Sequence, residues 1–205
     1  MCKKYPQSIS LIIFLFSSII YSSPNSDRFT KAYQAESAPI IDGDVLNDPA
    51  WTSIPAITIF TQKSPDEGQI STEKTEVKVA YDDQNLYVAF WAFADPKDIR
   101  ASFQGRDRAW MDDWVAIFLD TYGDANTGTM VGANPYGIQM DAINNGNGKD
   151  DPSFDLVYES KGKITDDGYQ VEMAIPFSSL SFPDKEVQEW KVGFYRSLPR
   201  EKRSQ

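Results

Sequence analysis

Residues Trp114 to Leu119 read Trp-Val-Ala-Ile-Phe-Leu, an unbroken apolar run entered through Asp112-Asp113 and left through Asp120. A run so short, and so rich in aromatic and β-branched residues, is a strand. Strand side chains alternate, so Trp114, Ala116 and Phe118 share one face while Val115, Ile117 and Leu119 share the other. Both faces are apolar and both need cover. The strand is therefore interior, with a second layer packed on each side or with one face lining a concave site. Polar residues gather at its ends, with Arg106, Asp107, Arg108, Asp112 and Asp113 before it and Asp120, Asp124 and Asn126 after it, which makes this the place to look for a site.

The rest of the chain is legible as strands around that one. Thr75 to Tyr81 alternates, with Val77, Val79 and Tyr81 on one face, and Asp82-Asp83-Gln84-Asn85 turns it into Leu86 to Ala94, a second run apolar on both faces. A later hairpin joins Leu156 to Ser160 with Tyr169 to Ile175 through Thr165-Asp166-Asp167-Gly168, and Pro176 ends it. Ile57 to Phe60, Thr129 to Asn134, Ile138 to Ile143 and Trp190 to Arg196 read as further strands. Near the start, Asp48-Pro49-Ala50-Trp51 reads as one helical turn capped by Asp48 with Pro49 at its first position, and Trp51 as a core anchor. About nine or ten short strands separated by Asp, Gly and Asn turns predict an all-β fold, an antiparallel two-sheet β-sandwich of immunoglobulin-like or jelly-roll-like kind, with a closed barrel as the competing architecture.

The first residues stand apart. Lys3 and Lys4 precede an apolar run from Ile9 to Tyr21, and the small residues Ser22 and Ser23 follow, which is the layout of a helical secretory signal peptide over residues 1–23. Residues 24–37 are polar and without period and read as a linker, residues 38–197 as the folded domain, and residues 198–205 as a tail.

With the leader removed, the chain loses Cys2, its one cysteine, and histidine is absent throughout. That leaves no disulfide, no thiol nucleophile, no cysteine or histidine metal ligand and no histidine general base. The formal charge of −10 argues against nucleic acid as a partner. Calcium is the cofactor such a domain could hold, through Asp120, Asp124 and Asn126 on one turn or Asn144, Asn147, Asp150 and Asp151 on a longer loop. Neither set has EF-hand spacing, and no cofactor is required.

Saccharide recognition needs flat apolar surfaces for the C–H faces of a sugar ring and fixed polar groups for its hydroxyls. Trp110, placed where the chain enters the central strand, with Arg106, Arg108 and Asp113 close in sequence, supplies both kinds and forms the expected ligand-contact set. Asp112 and Asp113 are not a catalytic pair, because neighbouring strand residues point to opposite faces. No enzyme activity is expected.

Five segments in order, Ile41-Asp42-Gly43, Asp48-Pro49-Ala50-Trp51, Tyr81-Asp82-Asp83 with Leu86-Tyr87-Val88, Trp110-Met111-Asp112-Asp113-Trp114 with Phe118-Leu119-Asp120, and Met173-Ala174-Ile175-Pro176-Phe177, resemble the family 9 carbohydrate-binding module. The variant is most similar to the module at the N-terminus of uncharacterised bacterial outer-membrane proteins. The resemblance implies an exported, non-catalytic β-sandwich that binds saccharides, accessory in some relatives to glycoside hydrolases. It further implies a ligand held between two tryptophans and bonded by a glutamate and an arginine. Trp110 falls at the first tryptophan, Ala116 stands at the glutamate position, no tryptophan follows Trp190, and residues 138–143 contain no arginine. These departures open a second reading, a structural or interaction domain attached to an outer-membrane β-barrel, with no glycan ligand.

Overall fold

The computed structural model describes residues 12–15, 29–145, 150–151, 153–199 and 203–204. Their strands are β1 (Ile12–Leu15), β2 (Phe29–Lys31), β3 (Tyr33–Gln34), β4 (Thr75–Tyr81), β5 (Asn85–Phe93), β6 (Trp114–Asp120), β7 (Thr127–Ala133), β8 (Gln139–Asn145), β9 (Asp150–Asp151), β10 (Glu159–Thr165), β11 (Gly168–Pro176), β12 (Glu189–Leu198) and β13 (Arg203–Ser204). They form two sheets. The larger has the order β2-β1-β12-β6-β7-β8-β9, with β13 also on β12, and the smaller has the order β10-β11-β5-β4-β3. All pairings are antiparallel except β1 with β12 and β3 with β4. The two-sheet sandwich predicted from the alternation is the observed fold, and the barrel is not.

Alternation decides which residues meet between the sheets. Val115, Ile117 and Leu119 of β6, Val131 and Ala133 of β7, and Trp190 and Val192 of β12 face Val77 and Val79 of β4, Leu86, Val88, Phe90 and Ala92 of β5, and Tyr169, Val171, Met173 and Ile175 of β11 in one buried core. Burying a side chain such as Ile117 contributes roughly 1.5–3 kcal/mol. Among the described residues, one cation is buried in this core. Arg196 of β12 has no exposed surface and crosses the interior to the small sheet, donating from Nη1 to the Lys74 carbonyl (3.0 Å) and Thr75 Oγ1 (3.1 Å), and from Nη2 to the Phe93 carbonyl (2.8 Å).

The outer face of the small sheet is closed by the segment that follows the expected linker. Asp48 caps a short 3-10 turn at Pro49–Trp51 by accepting from the Ala50 N–H at 2.8 Å. Trp51, Val45 and Ile54 then pack on Ala80, Tyr87, Ala89 and Ala174 in a second apolar cluster. Trp51 is fully buried, as expected, but on this outer face rather than between the sheets. Its indole N–H donates to Glu172 Oε1 at 2.6 Å, and Glu172 also accepts from Gly43 N at 2.8 Å and Asp42 N at 3.2 Å.

Several boundaries differ from the sequence expectation. β2 and β3 lie within the range read as a linker. Ile57–Phe60 contributes only an isolated bridge, from Ile57 to Val77. Most of the helical leader expected over residues 1–23 lies outside the described residues. Its described part, Ile12–Leu15, is a strand parallel to β12, since a β-branched and aromatic run readily pairs with an open strand edge. Among the described residues no helix is long and apolar enough to cross a membrane.

Candidate functional site

The face of the large sheet turned away from the small one is the second place where β6 must bury apolar groups. Here Trp114, Ala116 and Phe118 of β6 lie beside Tyr195 of β12 and Met130 of β7, with Met140 and Ala142 of β8 further along, because these residues share the parity that the core residues leave free. Across the strands Ala116 pairs with Tyr195 on one side and Gly132 on the other, and Phe118 pairs with Gly193 and Met130. A Cβ at Gly132 would fall 2.7 Å from the Val115 carbonyl oxygen, so only glycine fits there. Ala116, with no exposed surface, lies beneath the larger side chains.

Those larger side chains form a continuous aromatic tract. Trp110 meets Trp114 edge-on, with ring centroids 5.7 Å apart and planes at 89°. Trp114 lies against Tyr195 at 5.0 Å and 30°, and Tyr195 meets Phe118 at 6.1 Å and 79°. All four are partly exposed. Beside them, Lys63 Nζ sits 5.9 Å from the Tyr195 ring centroid. Asp120 lies on the same face of β6, but its carboxylate accepts from Gly123 N, Asp124 N and Ala125 N and is taken up by its own turn.

The four residues expected to contact a ligand are not gathered in one place. Trp110 is on the aromatic face. Arg106 is turned to the other side of β8, where it bonds the Gln139 side chain (2.7 Å), the Leu156 carbonyl (2.6 Å) and Asp141, and has Asp155 3.1 Å from its Nε. Arg108 is exposed in a tight turn closed by its N–H to the Gly105 carbonyl at 3.2 Å. Asp113 has no exposed surface, because it continues the inward-facing parity of Val115, so it has no route to a ligand from solvent. Sequence proximity placed these residues together; the strand's two-sidedness and the bend before it separate them.

Asp112 is buried for a different purpose. Its Oδ2 accepts from Ser102 N (2.9 Å), Ser102 Oγ (2.7 Å) and Asn134 Nδ2 (2.9 Å), tying the segment before β6 to the turn between β7 and β8. Trp114, Phe118 and Tyr195 were visible in the sequence only as strand residues. The alternation puts Trp114 and Phe118 on one face and leaves open whether that face is covered or lines a site, while Tyr195 is legible only as part of the strand Trp190 to Arg196.

The donors read as calcium ligands are hydrogen-bonded within their own loops. Asp124 Oδ1 accepts from Asn126 N at 2.8 Å and Thr127 N at 3.0 Å, so the Asp120–Asp124–Asn126 turn is closed on its own N–H groups. In the second loop, Asn147 lies outside the described residues, and Asn144 Nδ2 donates to Asp150 Oδ1 at 3.2 Å. A third acidic group, Asp107, Asp141 and Asp155, has carboxylate oxygens within 4.8 Å of one another. Arg106 is ion-paired to all three. Burial pushes the Asp141 carboxyl above the usual carboxylate range, against the downward pull of the Leu156 N–H and Arg106.

Comparison with known proteins agrees with the fold. A family 9 carbohydrate-binding module from Caldicellulosiruptor kristjanssonii in complex with cellotriose superposes with a TM-score of 0.54 at 21% identity, covering 80% of this chain and 74% of that one. A structure of such a module from the same organism with glucose gives 0.53 at 20% identity over 80% and 75%. A candidate carbohydrate-binding protein from Bacteroides uniformis gives 0.62 at 13% identity over 82% and 83%. In sequence, the chain is 27% identical over 166 residues to the exoglucanase XynX of Acetivibrio thermocellus, matching over 81% of its own length but spanning only 14% of that protein. The family model described as carbohydrate family 9 binding domain-like matches residues 41–199, and the chain belongs to that family.

Proposed function

We propose that this chain is an exported, non-catalytic saccharide-binding module that receives its ligand on the outer face of the large sheet. The observation that carries the reading is the partly exposed aromatic tract Trp110–Trp114–Tyr195–Phe118, built on β6, the segment before it and the neighbouring β12 of a family 9 fold. Aromatic rings give the C–H faces of a pyranose apolar contact at little conformational cost, since each ring is already fixed by its neighbours. With Ala116 at the centre of the face and Asp120 engaged by its own turn, ring contacts dominate recognition. Lys63 and Trp110 stand at the edges to bond hydroxyls, through the ammonium and the indole N–H. Solved relatives holding cellotriose and glucose favour a β-glucan or its short fragments as the ligand. The leader layout at residues 1–23 supports export.

Titration of the purified protein with soluble glucan, xylan and mannan oligosaccharides, followed by tryptophan fluorescence and calorimetry, tests this. Binding should be detected, and Trp114→Ala and Tyr195→Ala should each weaken it by about tenfold or more, as interfacial Trp and Tyr anchors do. No response to any glycan would favour the interaction domain without a glycan ligand. Release of reducing sugar by the pure protein would contradict the non-catalytic role.

A further inference from the structure

A stacked aromatic pair, Phe103 exposed and Tyr136 partly so, is carried by the segment that leads into β6 and by the turn between β7 and β8. Phe103 is 79% exposed, yet its ring lies parallel to that of Tyr136, with centroids 4.0 Å apart and planes at 6°. Stacking of this kind covers one face of Phe103 and leaves the other open to water.

The backbones that carry the two rings are fastened by buried polar groups. Asp112 is 2% exposed and Asn134 not at all. Asp112 Oδ2 holds Ser102, the neighbour of Phe103, through its N–H and hydroxyl, and Asn134 Nδ2 donates to the Ser102 carbonyl at 2.9 Å. Asn134 Oδ1 accepts from Tyr136 N at 3.0 Å and Ile138 N at 2.9 Å. Burying a carboxylate and an amide is costly unless their hydrogen bonds are made, and here those bonds are made to the segments that carry the aromatic pair. The exposed ring on so stiff a mount offers a flat, fixed surface on which another ring can stack. The mount is joined to the aromatic tract through Asp112, which holds Ser102 and lies two residues from both Trp110 and Trp114 in the chain.

We propose that Phe103, backed by Tyr136, is a second stacking subsite, which takes an outer residue of an extended saccharide chain whose inner residues lie on Trp110, Trp114 and Tyr195. The inference rests on the saccharide reading above. It makes the module a reader of chain length: a monosaccharide occupies the inner face alone, while a longer oligosaccharide reaches Phe103.

Calorimetric titration with matched series of one, three and six sugar units, drawn from glucan, xylan and mannan, tests this on the wild type, Phe103→Ala and Trp114→Ala. In the series that binds, wild-type affinity should rise about tenfold or more from one unit to six, one further stacked ring supplying about 1.4 kcal/mol. Phe103→Ala should bind the monosaccharide within about twofold of wild type and lose most of the rise, while Trp114→Ala weakens every member. Phe103 is so exposed that its truncation should leave the melting temperature within about 2 °C. A wild-type series that binds but does not rise, or a Phe103→Ala variant that keeps the full rise, overturns the subsite and leaves the saccharide reading standing. Failure of all series to bind the wild type overturns both.

Discussion

Replacing Arg196 tests how the two sheets are held together. Arg196 has no exposed surface, donates to the Lys74 and Phe93 carbonyls and to Thr75 Oγ1, and places its guanidinium carbon 5.5 Å from the Tyr169 ring centroid. Arg196→Met keeps most of the volume and removes the charge, which recovers a desolvation cost of several kcal/mol per buried ion. Against that gain, each buried carbonyl left without a donor costs about 1–3 kcal/mol, and hydrogen bonds from charged groups contribute about 1.5–3 kcal/mol each. The Lys74 carbonyl keeps its bond from the Phe93 N–H at 3.0 Å, so its loss is partial. The net expectation is a destabilisation of about 2–3 kcal/mol for Arg196→Met. For Arg196→Ala, where an unfilled cavity adds to the loss, it is about 4–5 kcal/mol. Urea unfolding followed by tryptophan fluorescence reads both. Tyr195, the neighbouring residue, faces the aromatic tract, so Arg196→Met should also weaken saccharide binding modestly. An Arg196→Met protein as stable as wild type would refute the view that this side chain fastens β12 to the small sheet.

Other consequences are as concrete. A Cβ at Gly162 would lie 2.5 Å from the Pro135 carbonyl oxygen, so Gly162→Ala should push β10 from the Pro135–Gly137 turn, lowering stability by about 1–3 kcal/mol in thermal unfolding. Burial lifts the Glu172 carboxyl above its ordinary value of 4.5, against the pull of the Trp51, Gly43 and Asp42 N–H groups. The folded state therefore holds this proton to higher pH than the unfolded chain, and its contribution to stability falls as pH rises from 4.5 through the folded value. Subtracting the urea midpoints of Glu172→Gln from those of wild type should show that decline over this window, and a difference that rises with pH would contradict it. Calcium at millimolar concentration, or its chelation, should shift the melting temperature by less than about 1 °C, because the acidic turn is closed on its own N–H groups and Arg106 supplies the cation among Asp107, Asp141 and Asp155.

Where alternation was strict, the sequence was read correctly. Val77, Val79 and Tyr81 mark the inward face of one hairpin, while the two-sided runs at β5 and β6 require an interior position with a layer or a site on each face. The Asp48-Pro49 turn was legible because its capping is local. Less of the site could be read. Arg106, Arg108, Asp113 and Trp110 are close along the chain, but the bend that gives Asp107 a φ of 60° and the reversal of face at each strand residue send them in different directions. Asp141 and Asp155, which hold Arg106, lie 35 and 49 residues further on, and no local pattern links them to it. Tyr195 and Trp114 come together only through the β12–β6 register, a long-range pairing with no local signature.

A crystal structure of the protein with the best-binding oligosaccharide shows where recognition occurs. The sugar rings should lie over Trp114 and Tyr195 on the outer face of the large sheet, with the chain running past Trp110 toward Phe103. A ligand bound instead over the Trp51 segment, or at an edge of the small sheet, with the aromatic tract left bare, would contradict the assignment of that face.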